Sequence, residues 1–97
     1  MLNVIEKDDT LTFKFDSRMD TFKSQEIESE INAWTKESKG KFIFDLQNVL
    51  YISSYFLRLC LSTMKAVGKD NFVITNVRAD ILKAFTIAGF DKQLVIK

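Results

Sequence analysis

The chain of 97 residues lacks histidine and proline and has one cysteine and three glycines. Without histidine it cannot form a Ser-His-Asp triad, a Cys-His dyad or a His-ligated zinc site. A single cysteine excludes an internal disulfide and a cysteine-rich metal cluster, and it favours a reducing compartment. The glycines are Gly40, Gly68 and Gly89, each predicted to end a helix, so no glycine-rich phosphate loop is present.

Long apolar runs are also missing. The longest, such as Val49–Ile52, span four residues, whereas a membrane-spanning helix needs about 20. The N-terminus lacks the basic start and apolar stretch of a secretory signal. We therefore expect a cytoplasmic protein without membrane insertion.

The length indicates one small domain, residues 1–97, and the formal net charge of the chain is +1. The first half of the chain is mildly acidic and the second half mildly basic, but the basic residues are scattered. Because a nucleic-acid interface normally carries a basic stripe, we do not expect nucleic acid as a partner.

The N-terminal segment is predicted to form a β-hairpin. Leu11, Phe13 and Phe15 alternate with polar residues over 10–16, as in a strand with one buried face. Residues 2–6 supply the second, antiparallel strand across a polar turn.

The rest of the chain alternates between helical and strand patterns. Helices are predicted over 22–37, 54–68 and 78–88, and short strands over 41–46, 72–75 and 94–96. This order predicts an α/β fold in which the hairpin is followed by alternating helices and strands. We expect a mostly parallel sheet of about five strands with helices packed on it.

No arrangement typical of an enzyme is visible. Cys60 lies within an apolar helix face, where a buried, inert thiol is expected rather than a nucleophile. The acidic pair Asp8-Asp9 is typical of a solvated turn. We expect neither catalysis nor a cofactor.

Two serines occupy the most informative position. Ser53 and Ser54 follow the strand that ends at Asp45-Leu46, at the point where the second helix begins. In a parallel sheet this is the carboxyl edge, where binding sites collect. Either serine could cap the helix, which stabilises it by about 1 kcal/mol. Alternatively, a serine here could carry a phosphate of charge about −1.5 to −2, which would disfavour a docked partner.

Three segments in register resemble the STAS domains, which include bacterial anti-sigma factor antagonists and the tail domain of sulfate transporters. Residues 16–21 resemble the family's Gly-x-Leu-Asp segment, and residues 81–90 resemble its third helix with the closing Gly-Phe. The third segment resembles the family's Asp-Leu strand end and the Asp-Ser-Ser/Ala-Gly-Leu start of its second helix. Here that segment reads Asp45-Leu46, Val49, Tyr51-Ile52 and Ser53-Ser54-Tyr55-Phe56-Leu57.

The resemblance implies an STAS (anti-sigma factor antagonist-like) fold and a phosphorylation-switched regulator. Such an antagonist sequesters an anti-sigma factor that is also a serine kinase, frees the sigma factor, is phosphorylated, and is reset by a phosphatase. The position matching the phosphoacceptor is Ser54, flanked by Asp20 and Ser53. The resemblance assigns three partner-binding residues, Tyr55, Phe56 and Arg58.

Two residues depart from the family pattern. Ser53 occupies the position of the family's Asp, and Phe56 occupies the position of its Gly. The alternative function is a STAS adaptor that docks on the ATPase of a transporter without being phosphorylated. That adaptor would need the exposed start of the second helix but not the hydroxyl of Ser54.

Overall fold

The computed structural model describes residues 2–97, so Met1 of the predicted domain lies outside the described residues. The strands are β1 (Asn3–Lys7), β2 (Thr10–Lys14), β3 (Arg18–Met19), β4 (Lys41–Asp45), β5 (Tyr51–Ile52) and β6 (Phe72–Thr75). The helices are α1 (Thr21–Glu37), α2 (Ser54–Val67) and α3 (Ala79–Ile87), and a single 3-10 turn covers Lys69–Asn71. Over this described part, no helix has the length and apolar character needed to cross a bilayer.

The main sheet is mixed and has the strand order β1-β2-β4-β6. Strands β1 and β2 form the predicted antiparallel hairpin, while β4 pairs in parallel with both β2 and β6. Asp8 and Asp9 connect the hairpin with φ values of 51° and 63°. Two successive positive φ values are the geometry of a type I′ turn, which Asp tolerates and which suits the twist of a hairpin.

Gly40 has a different role from the predicted helix stop. Helix α1 is already closed at Ser38, whose N–H donates to the carbonyl of Trp34. A Cβ at position 40 would lie 1.9 Å from the carbonyl oxygen of Asp9. The adjacent Lys41 N–H donates to that same oxygen over 2.8 Å. Gly40 is therefore required by close backbone approach between the hairpin turn and β4.

A second, two-stranded sheet was not predicted from the sequence. Strands β3 and β5 pair in parallel, with Met19 opposite Ile52. The N–H of Ser53 then donates to the carbonyl of Met19 over 2.9 Å. Because β3 precedes α1 and β5 precedes α2, this pairing places the starts of the two helices side by side.

Phenylalanine rings dominate the core between the sheet and the helices. Phe13 stacks on Phe42 with 5.4 Å between ring centroids, and Phe15 meets Phe44 edge-to-face at 4.8 Å. Strand β2 thus buries alternate side chains, as its period of two predicts, and Phe42 and Phe44 of β4 are buried on the same face. The opposite face is only half-buried, for example at Ile43, so the helices cover one side of the sheet.

The C-terminal part departs from two expectations. Residues 94–96 form one parallel bridge, Ile96 to Ile74, instead of a strand. Helix α3 buries Ile81 and Phe85 as its stripe predicts, but Leu82 is exposed. The helix is short, and its contact with the core is too narrow to cover the whole stripe.

Candidate functional site

Ser53, and not Ser54, is the residue that caps α2. Ser53 is the N-cap of α2: it has extended backbone geometry, and its Oγ accepts a hydrogen bond from Phe56 N–H at 3.2 Å. Its side chain is buried. Ser54 is the first helical residue and is exposed. Capping therefore uses the Ser53 hydroxyl and leaves that of Ser54 at the surface.

Asp20 lies next to this pair at the start of the neighbouring helix. It is the N-cap of α1, and its Oδ1 accepts a hydrogen bond from Lys23 N–H at 2.9 Å. Its other carboxylate oxygen is 3.8 Å from Nε of Arg18. Since Ser53 bonds to the residue before Asp20, the pairing of β3 with β5 brings Asp20 beside the two serines.

Tyr55 and Arg58 form a cluster with Glu28 of α1. The Tyr55 hydroxyl donates to the Glu28 carboxylate, joining the two helices. The Arg58 guanidinium lies over the Tyr55 ring, 5.9 Å from its centroid. The hydrogen bond to Glu28, and then burial, raises the pKa of the Tyr55 phenol, while the nearby Arg58 charge opposes the shift. Arg58 is exposed and Tyr55 half-buried, so both can be reached by another protein.

The Phe56 side chain is not at the surface, whereas the resemblance implied a partner-binding residue there. Its side chain is 0% exposed and packs edge-to-face on Phe15, with 5.1 Å between centroids. Position 56 lies on the inner side of the first turn of α2, directly above the sheet. The side chain that replaces the family's Gly is therefore directed into the core, away from the surface.

Exposed apolar residues to which the sequence analysis assigned no surface role lie on the segment before Ser54 and on α3. Leu50 and Tyr51 are 56% and 43% exposed on the segment leading into α2. Arg18 stacks on the Tyr51 ring at 4.4 Å from the centroid. Leu82 is exposed on α3, the helix that packs beside β5. We call Leu50, Tyr51 and Leu82 the apolar rim. The length of an apolar run in the sequence does not distinguish exposed residues such as these from core residues.

A buried carboxylate fixes the end of the central strand. Asp45 accepts hydrogen bonds from Asn76 Nδ2 at 3.1 Å and from Gln47 N–H at 3.0 Å, and it pairs with Lys14 Nζ at 3.4 Å. Burial alone would raise its pKa, but these donors outweigh burial and lower the pKa below its ordinary value. Asp45 thus stays ionised and anchors the two loops that leave the sheet edge.

Acidic side chains and the thiol of Cys60 are the candidate metal ligands among residues 2–97. No group of three acidic or sulfur side chains there is arranged to hold a metal ion. Cys60 is buried, as predicted, and desolvation raises the pKa of its thiol well above the ordinary value. The feature that remains is a surface: an exposed hydroxyl next to an apolar rim and two arginines.

The sequence model of the STAS domain matches residues 1–97, whereas none of the curated proteins matches this chain. An anti-sigma factor antagonist from Mycobacterium paratuberculosis has a TM-score of 0.87 and 18% identity, covering 99% of this chain and 83% of that one. A Planctomyces limnophilus STAS protein, an anti-sigma-factor antagonist, gives 0.86 and 17%, covering 98% and 87%. Bacillus SpoIIAA in its phosphorylated form gives 0.75 and 13%, covering 100% and 91%. These TM-scores show a shared fold, and the family match spans the whole sequence. The chain belongs to the STAS domain family.

Proposed function

We propose that this protein is an anti-sigma factor antagonist, a non-enzymatic regulator that binds a kinase-type anti-sigma factor and is released when Ser54 is phosphorylated. The observation that carries the proposal is the exposed Ser54 hydroxyl beside a buried capping serine. Because Ser53 caps the helix, the Ser54 hydroxyl is not needed for that purpose. It is therefore available to a kinase.

The surroundings of Ser54 fit a switch at a protein interface. Leu50 and Tyr51 expose apolar area, and burying such area in a complex is favourable at about 25 cal/mol per Å². A phosphate on Ser54 would bring a charge of about −1.5 to −2 to this surface. Burying that charge in the interface would carry a large desolvation cost even if the phosphate is paired with a cation, so the complex would dissociate.

Two of the similar structures agree with such a switch. SpoIIAA is described in a phosphorylated and in an unphosphorylated form, the latter named as an anti-sigma factor antagonist. That description applies to SpoIIAA, with which this chain shares 12–13% identity. It shows that a protein of this fold can be phosphorylated, which supports the proposal.

The first experiment tests whether Ser54 is modified. Tagged protein is recovered from source cells, and its intact mass and phosphoserine position are determined by mass spectrometry. We expect one added phosphate on Ser54, and its loss in Ser54→Ala. The exposed Ser62 of the same helix provides the matched control, because Ser62→Ala should keep the phosphate. Modification absent under every growth condition tested would contradict the proposal.

The second experiment tests the binding surface. Wild-type protein should retain a serine-kinase anti-sigma factor from the same cells, and Ser54→Glu and Leu50→Glu should lose it. Ile5→Glu is the control, since Ile5 is similarly exposed but lies on the edge strand β1. If the protein retained is instead a transporter ATPase, bound equally by Ser54→Ala and Ser54→Glu, the adaptor function replaces this one.

A further inference from the structure

Arg58 lies one helical turn after Ser54, at spacing i to i+4. At this spacing Cβ atoms are about 5–6 Å apart, and an anion placed four residues before a cation is the favourable order. Long helical side chains point back toward the preceding turn. Arg58 does so here, since its guanidinium lies over Tyr55, the direct neighbour of Ser54.

The Arg58 guanidinium is available for a new partner. It forms no ion pair with a carboxylate among residues 2–97. Tyr55 is held by its hydrogen bond to Glu28, so the ring beneath the guanidinium is fixed by α1. Arg18, the other arginine near the site, already pairs with Asp20 and stacks on Tyr51.

We propose that Arg58 is the internal counter-ion of a phosphate on Ser54, so that phosphorylation adds an anion and also removes a cation from the docking surface. The inference rests on the proposed function for the use of phosphate at Ser54. In the unmodified protein the guanidinium projects from the tyrosine platform toward a partner. In the modified protein it turns to the phosphate oxygens, with which arginine forms strong paired hydrogen bonds.

The charged groups near the phosphate come from three elements. Arg18 of β3 and Arg58 of α2 would favour its doubly charged form, while Asp20 and Glu28 at α1 would disfavour it. The second pKa of phosphoserine is about 6, and a cation in contact with the phosphate lowers it. Removing each arginine in turn therefore shows which one is in contact, and we expect it to be Arg58.

The test uses the 97-residue protein carrying phosphoserine at position 54, which is installed by genetic code expansion and needs no kinase. The second pKa of the phosphate is measured by phosphorus NMR. Arg58→Gln should raise it by roughly 0.3–0.7 units, as expected for loss of one exposed charge-assisted pair. The Arg58 side-chain N–H signal should also shift between the unmodified and modified proteins.

Two variants serve as controls. Lys65→Gln removes the same charge from the same helix about 16 Å away and should leave the phosphate pKa unchanged. Arg18→Gln tests the other nearby cation. An equal pKa in wild type and Arg58→Gln, or a shift only in Arg18→Gln, would overturn the inference even if cells do phosphorylate Ser54. Conversely, a shift in Arg58→Gln together with unmodified Ser54 in cells would overturn only the proposed function.

Discussion

The Phe56 ring meets the Phe15 ring edge-to-face, with 5.1 Å between centroids and an interplanar angle of 82°. This contact joins the first turn of α2 to the end of the hairpin. Phe56, two residues after Ser54, is therefore a core residue.

Phe56→Ala should therefore act on stability. Removing a fully buried phenylalanine leaves a cavity and typically costs about 3–5 kcal/mol. Denaturant unfolding should show this loss in the free energy of unfolding, and Phe56→Leu should show a smaller one. Phe22→Ala, at a phenylalanine that is 72% exposed, should change it by less than about 0.5 kcal/mol. A stable Phe56→Ala protein would contradict the observed packing.

Substitutions of Ser53 and Ser54 should have different effects on the free energy of unfolding in the same denaturant assay. Ser53→Ala removes the N-cap acceptor of α2 and should lower the free energy of unfolding by about 1 kcal/mol. Ser54→Ala should change it by less than about 0.5 kcal/mol because the residue is exposed and makes no cap. Equal losses would mean that both hydroxyls stabilise the helix, and Ser54→Ala would no longer report on phosphorylation alone.

The Tyr55–Glu28 hydrogen bond should be visible in the titration of the phenol. In a Tyr51→Phe background Tyr55 is the only tyrosine, so tyrosinate absorbance reports its pKa directly. Glu28→Gln should lower that pKa, because the carboxylate is the main cause of its increase. Arg58→Gln should move it in the opposite direction. No change with Glu28→Gln would show that the hydrogen bond is not formed in solution.

Asp45 should make stability depend on pH at the acidic end. Its pKa in the folded protein lies below the ordinary value of 3.8, so the ionised carboxylate stabilises the fold above that pH. The contribution is lost as pH falls through the folded-state pKa. The difference in free energy of unfolding between wild type and Asp45→Asn should therefore shrink in acid. Asp70→Asn, at an exposed site, serves as the comparison, and a difference constant with pH would contradict the assignment.

Ser24 offers a stabilising change. Its Oγ is fully buried in α1 and has no hydrogen-bond partner among the described residues. Ser24→Ala should raise the free energy of unfolding by about 1 kcal/mol, since an unsatisfied hydroxyl is removed and alanine favours the helix. Ser29→Ala on the exposed side of α1 should give only the smaller helix-propensity gain. A loss of stability in Ser24→Ala would show that the hydroxyl is bonded in solution.

The sequence predicted the elements that repeat a strong pattern. The alternation of Leu11, Phe13 and Phe15 indicated the buried face of β2, and all three side chains are buried. The paired strands β3 and β5 were missed because two residues are too few to show a period. The sequence predicts only a helix stop at Gly40, because the close approach of Gly40 to the Asp9 carbonyl is a tertiary contact with no local signature.

The sequence predicts where the candidate site lies but not the direction or exposure of the side chains around it. The order of strand, loop and helix located Ser54 at the sheet edge, and the structure exposes it there. The direction of Phe56 depends on how the first turn of α2 sits above the sheet. The exposure of Leu82 likewise depends on how little of α3 the core covers. Neither is encoded in the residue types alone.

Cys60 is an intrinsic probe of local unfolding in this protein. It is the only thiol in the chain and is completely enclosed by α2 and its neighbours. A thiol-specific dye can react only after α2 leaves the sheet, so the labelling rate under native conditions measures how often that helix detaches. Comparing the labelling rate with and without a bound partner protein would show whether binding suppresses the detachment of α2. No engineered probe is needed.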